Sequence, residues 1–154
     1  MTLGNSHSVL AEFGRNKVLS ATFLAWFTAQ FLKVVIGVIR DKRFNFKWFL
    51  RSGGMPSSHV ALSMCLTTSI GLEHGFDSGL FAVACGFAVI TMFDAQGVRR
   101  HSGKQATLLN KMLEDIYAHK GLEESKVKEL LGHTPVEVFA GGTLGILIAL
   151  LFYR

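Results

Sequence analysis

Two cysteines and two prolines are all that the 154 residues hold of either type, and each scarcity argues against something. Cys65 and Cys85 stand inside apolar stretches, and neither has a C-x-x-C partner. That spacing speaks against redox and metal roles, and both read as small packing residues. Missing too are a G-x-S-x-G elbow for a serine hydrolase and an H-E-x-x-H metal signature. No internal repeat or low-complexity tract is present. Residues 1–16 are polar, and the apolar run behind them lacks a small-residue cleavage site. That run is therefore expected to stay as a membrane anchor and not to leave as a signal peptide.

What the chain does have is apolar length. Hydrophobic residues make up 49% of it, and the mean hydropathy is +0.35. With so little proline, this is too apolar for an ordinary soluble domain. Four stretches stand out, at residues 18–39, 57–72, 76–93 and 135–153. A helix needs roughly 20 residues to cross a bilayer, and the first, third and fourth come within that range. The second is short and rich in serine and threonine, which suits a re-entrant segment or a tilted, protein-buried helix. The expected architecture is all-α: an integral membrane four-helix bundle, one domain over residues 1–154. A soluble bundle with fully buried helices is the competing reading of the same composition.

The net charge of +5 matters less than its placement. Arg40, Lys42, Arg43, Lys47 and Arg51 lie between the first two stretches, and Arg99, Arg100, Lys104, Lys111, Lys120, Lys126 and Lys128 between the last two. The opposite side holds only Arg15, Lys17 and Arg154. By the positive-inside rule both basic loops are cytoplasmic and both termini lie on the other side. Nucleic acid is a poor partner, because the cations follow the loops and are not interleaved with stacking aromatics.

The loops carry their own signals. Phe44, Phe46, Trp48 and Phe49 alternate with Asn45 and Lys47, a mixture suited to headgroup depth. Gly53-Gly54 is a turn into a helix start at Pro56. Residues 103–119 have a helical, amphipathic pattern with Leu108, Leu109, Met112, Leu113 and Ile116 on one side. A second short helix is expected over residues 123–131, stopped by Gly132. These would be amphipathic cytoplasmic helices between the third and fourth spans. Gly141 and Gly145 form a G-x-x-x-G, a pattern of close helix packing that also allows a homodimer.

The strongest pattern is where the polar residues fall. Lys33 and Arg40 sit seven residues apart at the end of the first stretch, and Ser57, Ser58 and His59 begin the second. Asp94, Arg99 and Arg100 follow the third, and His133 and Glu137 begin the fourth. A chain that crosses alternately brings all four groups to one face. Ionisable groups at a membrane edge are costly and usually functional.

Together they suit phosphoryl transfer. Cations and helix-start amides hold a phosphate, and one histidine attacks phosphorus while a carboxylate one turn away orients it. A second histidine protonates the leaving oxygen. His133 with Glu137 fits the first role and His59 the second. Simpler readings stand beside these: Lys33 as a snorkelling lysine, Arg40 as an ordinary loop cation, His133-x-x-x-Glu137 as a helix cap or half a metal site, Asp94 as a partner of Arg99 or Arg100.

These residues resemble the type 2 phosphatidic acid phosphatase superfamily, which includes lipid phosphate phosphatases, bacterial acid phosphatases and vanadium haloperoxidases. Its motifs are K-x6-R-P, P-S-G-H and S-R-x5-H-x3-D. Here Lys33-x6-Arg40 is followed by Pro56-Ser57-Ser58-His59 and then His133-x3-Glu137. Residues 53–59, Asp94-Ala-Gln-Gly-Val-Arg-Arg and Gly103-Lys-Gln-Ala-x-x-Leu-Asn110 look most like the small divergent membrane branch. The departures are Ser58 for the motif glycine, Glu137 for the final acid, no proline after Arg40, and Val127 where an arginine precedes the histidine. Arg99 or Arg100 is the candidate replacement.

The resemblance implies a lipid phosphate phosphatase working without cofactor or metal through a phosphohistidine at His133, with an Asp94–Glu137 metal site as the open alternative. Its substrate would be a phosphomonoester or diphosphate on a lipid: phosphatidylglycerophosphate, phosphatidic acid or a polyprenyl diphosphate. His133, His59 and Glu137 would be catalytic, and Lys33, Arg40, Ser57, Ser58, Arg99 and Arg100 would hold phosphate. The rival expectation is a non-catalytic phospholipid-binding scaffold or transporter on the same fold.

Overall fold

Asn16 starts the first long helix, α1 (Lys17–Asp41), by accepting the Leu19 N–H on its side-chain oxygen at 2.9 Å. Lys42 ends it in the left-handed region, its N–H returning to the Val38 carbonyl. Along α1, Ala21, Ala25 and Ala29 repeat every four residues and are wholly buried, with Lys33 next in the same register at 8% exposure. Phe23, Phe27 and Phe31 take the opposite register and stand more than half exposed. Small residues inside and large ones outside is the pattern of helices packed in lipid, where only close approach favours association. A soluble bundle would bury those phenylalanines, so the competing reading fails here.

The computed structural model describes residues 11–12, 14–42, 54–97, 103, 105–114 and 133–154, and every regular element among them is helical. After α1 come α2 (Ser58–His74), α3 (Gly79–Gln96) and α4 (Pro135–Phe152). Three helices are long and apolar enough to cross a membrane, over Lys17–Arg40, Gly79–Gln96 and Pro135–Phe152. At 17 residues α2 falls short. The Phe44–Phe49 segment, the helix expected over residues 123–131, and Arg99, Arg100 and Val127 lie outside the described residues.

α2 occupies the middle, packed against α1, α3 and α4, whereas α3 touches α4 only slightly. That position explains its composition. Ser63, Thr67 and Thr68 return their hydroxyls to carbonyls one turn back, at Val60, Ser63 and Met64. Thr67 also lies 3.1 Å from the Ala84 carbonyl of α3. Hydroxyls satisfied in this way cost little when buried, so α2 is the protein-buried helix its sequence allowed. Gly141 and Gly145 of α4 lie against it so closely that a Cβ at either would strike the Ser57 or Ala61 carbonyl. The G-x-x-x-G thus serves packing within the chain.

Two clusters hold the helices together. Ala21, Ala25, Cys65, Ile148 and Ala149 form one, and Val60, Ala95 and Val138 the other. Over residues 105–114 the chain is helical, as expected, with Leu108, Leu109 and Met112 exposed and Ala106 and Asn110 buried.

Candidate active site

Thr134-Pro135-Val136-Glu137 opens α4 with a capping box. The Thr134 hydroxyl accepts the Glu137 N–H at 3.4 Å, and Glu137 Oε2 accepts the Thr134 N–H at 3.0 Å. The same carboxylate oxygen lies 3.0 Å from His133 Nδ1. A carboxylate only accepts, so Nδ1 carries the proton and the neutral ring has its lone pair on Nε2. Glu137 therefore both caps the helix and fixes the tautomer of His133, so the simpler reading as a cap and the catalytic one describe a single residue. His133 is 2% exposed, and its N–H donates to the Ala95 carbonyl at 3.0 Å, which ties the start of α4 to the end of α3.

Two further elements meet there. The Ser57 N–H donates to the Glu137 carbonyl at 3.0 Å, placing the α2 N-terminus against the first turn of α4. From α1, the Lys33 ammonium interacts electrostatically with the Glu137 carboxylate. The stem of Lys33 runs beneath the turn into α2. A Cβ at Gly54, whose φ is +90°, would sit 3.5 Å from Lys33 Cγ. Only glycine adopts that φ without strain, so the turn depends on Gly54. Ends of α1 and α3 and starts of α2 and α4 thus share one end of the molecule.

Ser57 is wholly buried, and its Oγ has no hydrogen-bond partner among the described residues. A buried orphan hydroxyl costs about 1–3 kcal/mol. It stands at the N-cap of α2 without bonding the helix, beside amides that have no acceptor within the helix.

The remaining candidates are placed less centrally. Ser58 is buried in the first turn of α2, and His59, its neighbour, is exposed. Arg40 is exposed in the last turn of α1, two turns beyond Lys33. Asp94 is half-buried near the end of α3, next in the chain to the carbonyl that receives the His133 N–H. The structure therefore brings Lys33, Ser57, His133 and Glu137 together, while Arg99 and Arg100 fall outside the described residues. No three His, Cys, Asp or Glu side chains among the described residues are grouped to hold a metal ion. Sequence reasoning missed the Ala95 carbonyl, a backbone group with no signal in its side chain. It also missed the Thr134 cap, whose T-x-x-E spacing was there to find.

An open cavity of about 510 Å³ lies at the other end, lined by Glu12, Arg15, Asn16, Glu73 and His74 with Val18, Ile70 and Leu80. It contains none of the candidate residues.

The His133–Glu137 pair at the start of α4, met by Lys33 and Ser57, thus joins polar groups from three helices at one end of the molecule. Residues 14–148 match the family described as the Divergent PAP2 family. The chain belongs to that family. A curated relative, the "Uncharacterized membrane protein YuiD" of Bacillus subtilis (strain 168), is 46% identical over 150 residues, covering 90% of this chain and 95% of its own length. No solved structure gives a significant match. Family membership puts the chain in a phosphatase-like superfamily, and the relative's name agrees with the apolar helices that it is an integral membrane protein.

Proposed function

We propose that this divergent PAP2 protein hydrolyses a lipid phosphate through a phosphohistidine at His133. The observation that carries this reading is the His133–Glu137 hydrogen bond, buried beside Lys33 and the orphan hydroxyl of Ser57. Nδ1 donates to Glu137, so Nε2 offers its lone pair to phosphorus while the P–O bond to the lipid breaks. His59 gives a proton to the departing oxygen, and its exposure suits exchange with water. Water then attacks phosphorus, its proton passing to the neutral His59, the P–N bond breaks, and inorganic phosphate leaves. Lys33, the Ser57 and Ser58 helix start, Arg40 and Arg99 or Arg100 neutralise the phosphoryl oxygens. No metal is needed for this balance, and Asp94 stays outside it.

The four helices form the membrane domain in this reading, with the site facing the cytoplasm and both termini on the opposite side. Loop charge supports that orientation. It favours phosphatidylglycerophosphate or phosphatidic acid over a polyprenyl diphosphate presented on the outer face. A cysteine-accessibility map that places residues 99–132 outside would overturn the orientation and the preference with it.

The catalytic reading is tested by phosphate release from a panel of these lipids by purified protein, with and without EDTA. Wild type should turn over at least one lipid in EDTA, and His133→Ala should not. Equal, slow release by both proteins would leave the second reading, a phospholipid-binding scaffold or transporter. That reading draws its support from Val127 at the position where the superfamily motif has arginine.

A further inference from the structure

The helix over residues 105–114 has three of its four large apolar side chains on the wrong side for a packed helix. At 3.6 residues per turn, Ala106 and Asn110 share one face, and they are 7% and 8% exposed. Leu108, Leu109 and Met112 share another, and they stand 55%, 49% and 51% exposed. Thr107, Lys111 and Glu114 occupy a third, also exposed. A helix that stabilised the protein by ordinary core packing would turn the leucines inward. This one turns Ala106 and Asn110 inward with Leu113 half-buried beside them, and leaves three large apolar side chains and a polar side outward.

We infer that this helix lies in the plane of the membrane surface, with Leu108, Leu109 and Met112 among the lipid acyl chains and Lys111 toward headgroups and water. This does not depend on the phosphatase reading. Only eight residues separate the end of α3 at Gln96 from residue 105. Residue 103 is already helical, so at most seven extended steps of about 3.6 Å each lead from Gln96 to the helix, less than the roughly 30 Å of a hydrocarbon core. The helix therefore stays at the end of the molecule where α3 ends and α4 begins. Exposed Phe93, Val136 and Phe139 carry the apolar outer surface of α3 and α4 to that same end. Leu108, Leu109 and Met112 add a second apolar surface at that end, and the polar side next to it carries Lys111 and Glu114, as headgroup depth allows. A protein partner is the poorer occupant, since three side chains cover far less than the roughly 1,200–2,000 Å² that a stable protein interface buries.

The test uses the full chain carrying Cys65→Ala and Cys85→Ala, with one reporter cysteine at Met112→Cys or Thr107→Cys. Each is labelled with bimane and reconstituted into phosphatidylethanolamine–phosphatidylglycerol vesicles, with quenchers present on both sides. Lipids carrying a shallow nitroxide should quench the label at 112 at least threefold more than at 107, and aqueous iodide should show the reverse order. The pair Leu109→Cys and Lys111→Cys repeats the comparison independently of either first variant. Equal iodide quenching across both pairs would overturn the inference. So would a label at 112 that neither quencher reaches, which means protein covers it. Protection that fades as protein is diluted in lipid would assign the face to a second copy and overturn it as well.

Discussion

Each end of this molecule ties a glutamate to a side chain from another part of the chain or the next turn, and the two ends use the device differently. At one end Glu137 receives the ring N–H of His133 and the backbone N–H of Thr134. At the other, Glu73 at the end of α2 receives the Tyr153 hydroxyl that follows α4. The Tyr153 end is a closed account of caps: the Asn16 side chain serves Leu19, and the Ser78 hydroxyl serves both Phe81 and the Gly75 carbonyl. Its charged groups face an open cavity. The His133 end buries a histidine and a lysine beside the orphan hydroxyl of Ser57. A carboxylate hydrogen bond alone does not mark a site. A buried hydroxyl with no partner among the described residues, set beside a buried histidine and lysine, does.

That contrast is sharpest in Glu137→Gln. Glutamine still completes the capping box, so the thermal midpoint should hold within a few degrees. Catalysis should fall by about 10³–10⁴-fold, as when a carboxylate that sets a histidine tautomer is made neutral. Phosphate release and thermal unfolding on one preparation check both halves. Next in size is Lys33→Met, which keeps the stem and removes the charge. Phosphate release should drop about 10²–10³-fold, the range for losing one preorganised charge contact. Unchanged kinetics would return Lys33 to a snorkelling role.

Ser57→Ala separates function from stability most cleanly. Removing an orphan hydroxyl should leave the protein as stable or more so by about 1 kcal/mol, while release slows about tenfold for the loss of one phosphate contact. If melting and kinetics both stay at wild-type values, Ser57 contributes nothing to the site. Tyr153→Phe is the counterpart at the far end. It should cost about 1 kcal/mol of stability and change turnover less than twofold. A large kinetic effect there would dissolve the distinction between the ends.

Much of this was legible in the order of residues. Apolar runs at 18–39 and 135–153 match α1 and α4 within two residues at either end, because the apolar length that a bilayer demands sets the bounds of both helices. The third run was placed three residues early, since Phe76 and Asp77 belong to the turn that the Ser78 cap closes. α2 was the weakest of the four runs because hydropathy counts its hydroxyls as polar. The fold satisfies them on carbonyls, a fact that only the packing reveals. For the site, alternate crossing brings Lys33, Ser57, His133 and Glu137 to one end by parity alone. The bond from His133 to Ala95 and the stem of Lys33 under Gly54 are backbone and packing events with no residue signature. The outward turn of Leu108 and Met112 was hidden for a related reason: periodicity defines the sides of a helix but not which one faces in.

The central claim is that His133 carries the phosphoryl group, and the covalent state itself can be caught. Protein mixed briefly with a ³²P-labelled lipid phosphate, then denatured in alkali, should hold label that is stable in base and lost in acid, as a phosphorus–nitrogen bond requires. That label should map to the peptide containing His133 and be absent from His133→Ala. Turnover by wild type with no such label, or with label persisting in His133→Ala, would contradict the account.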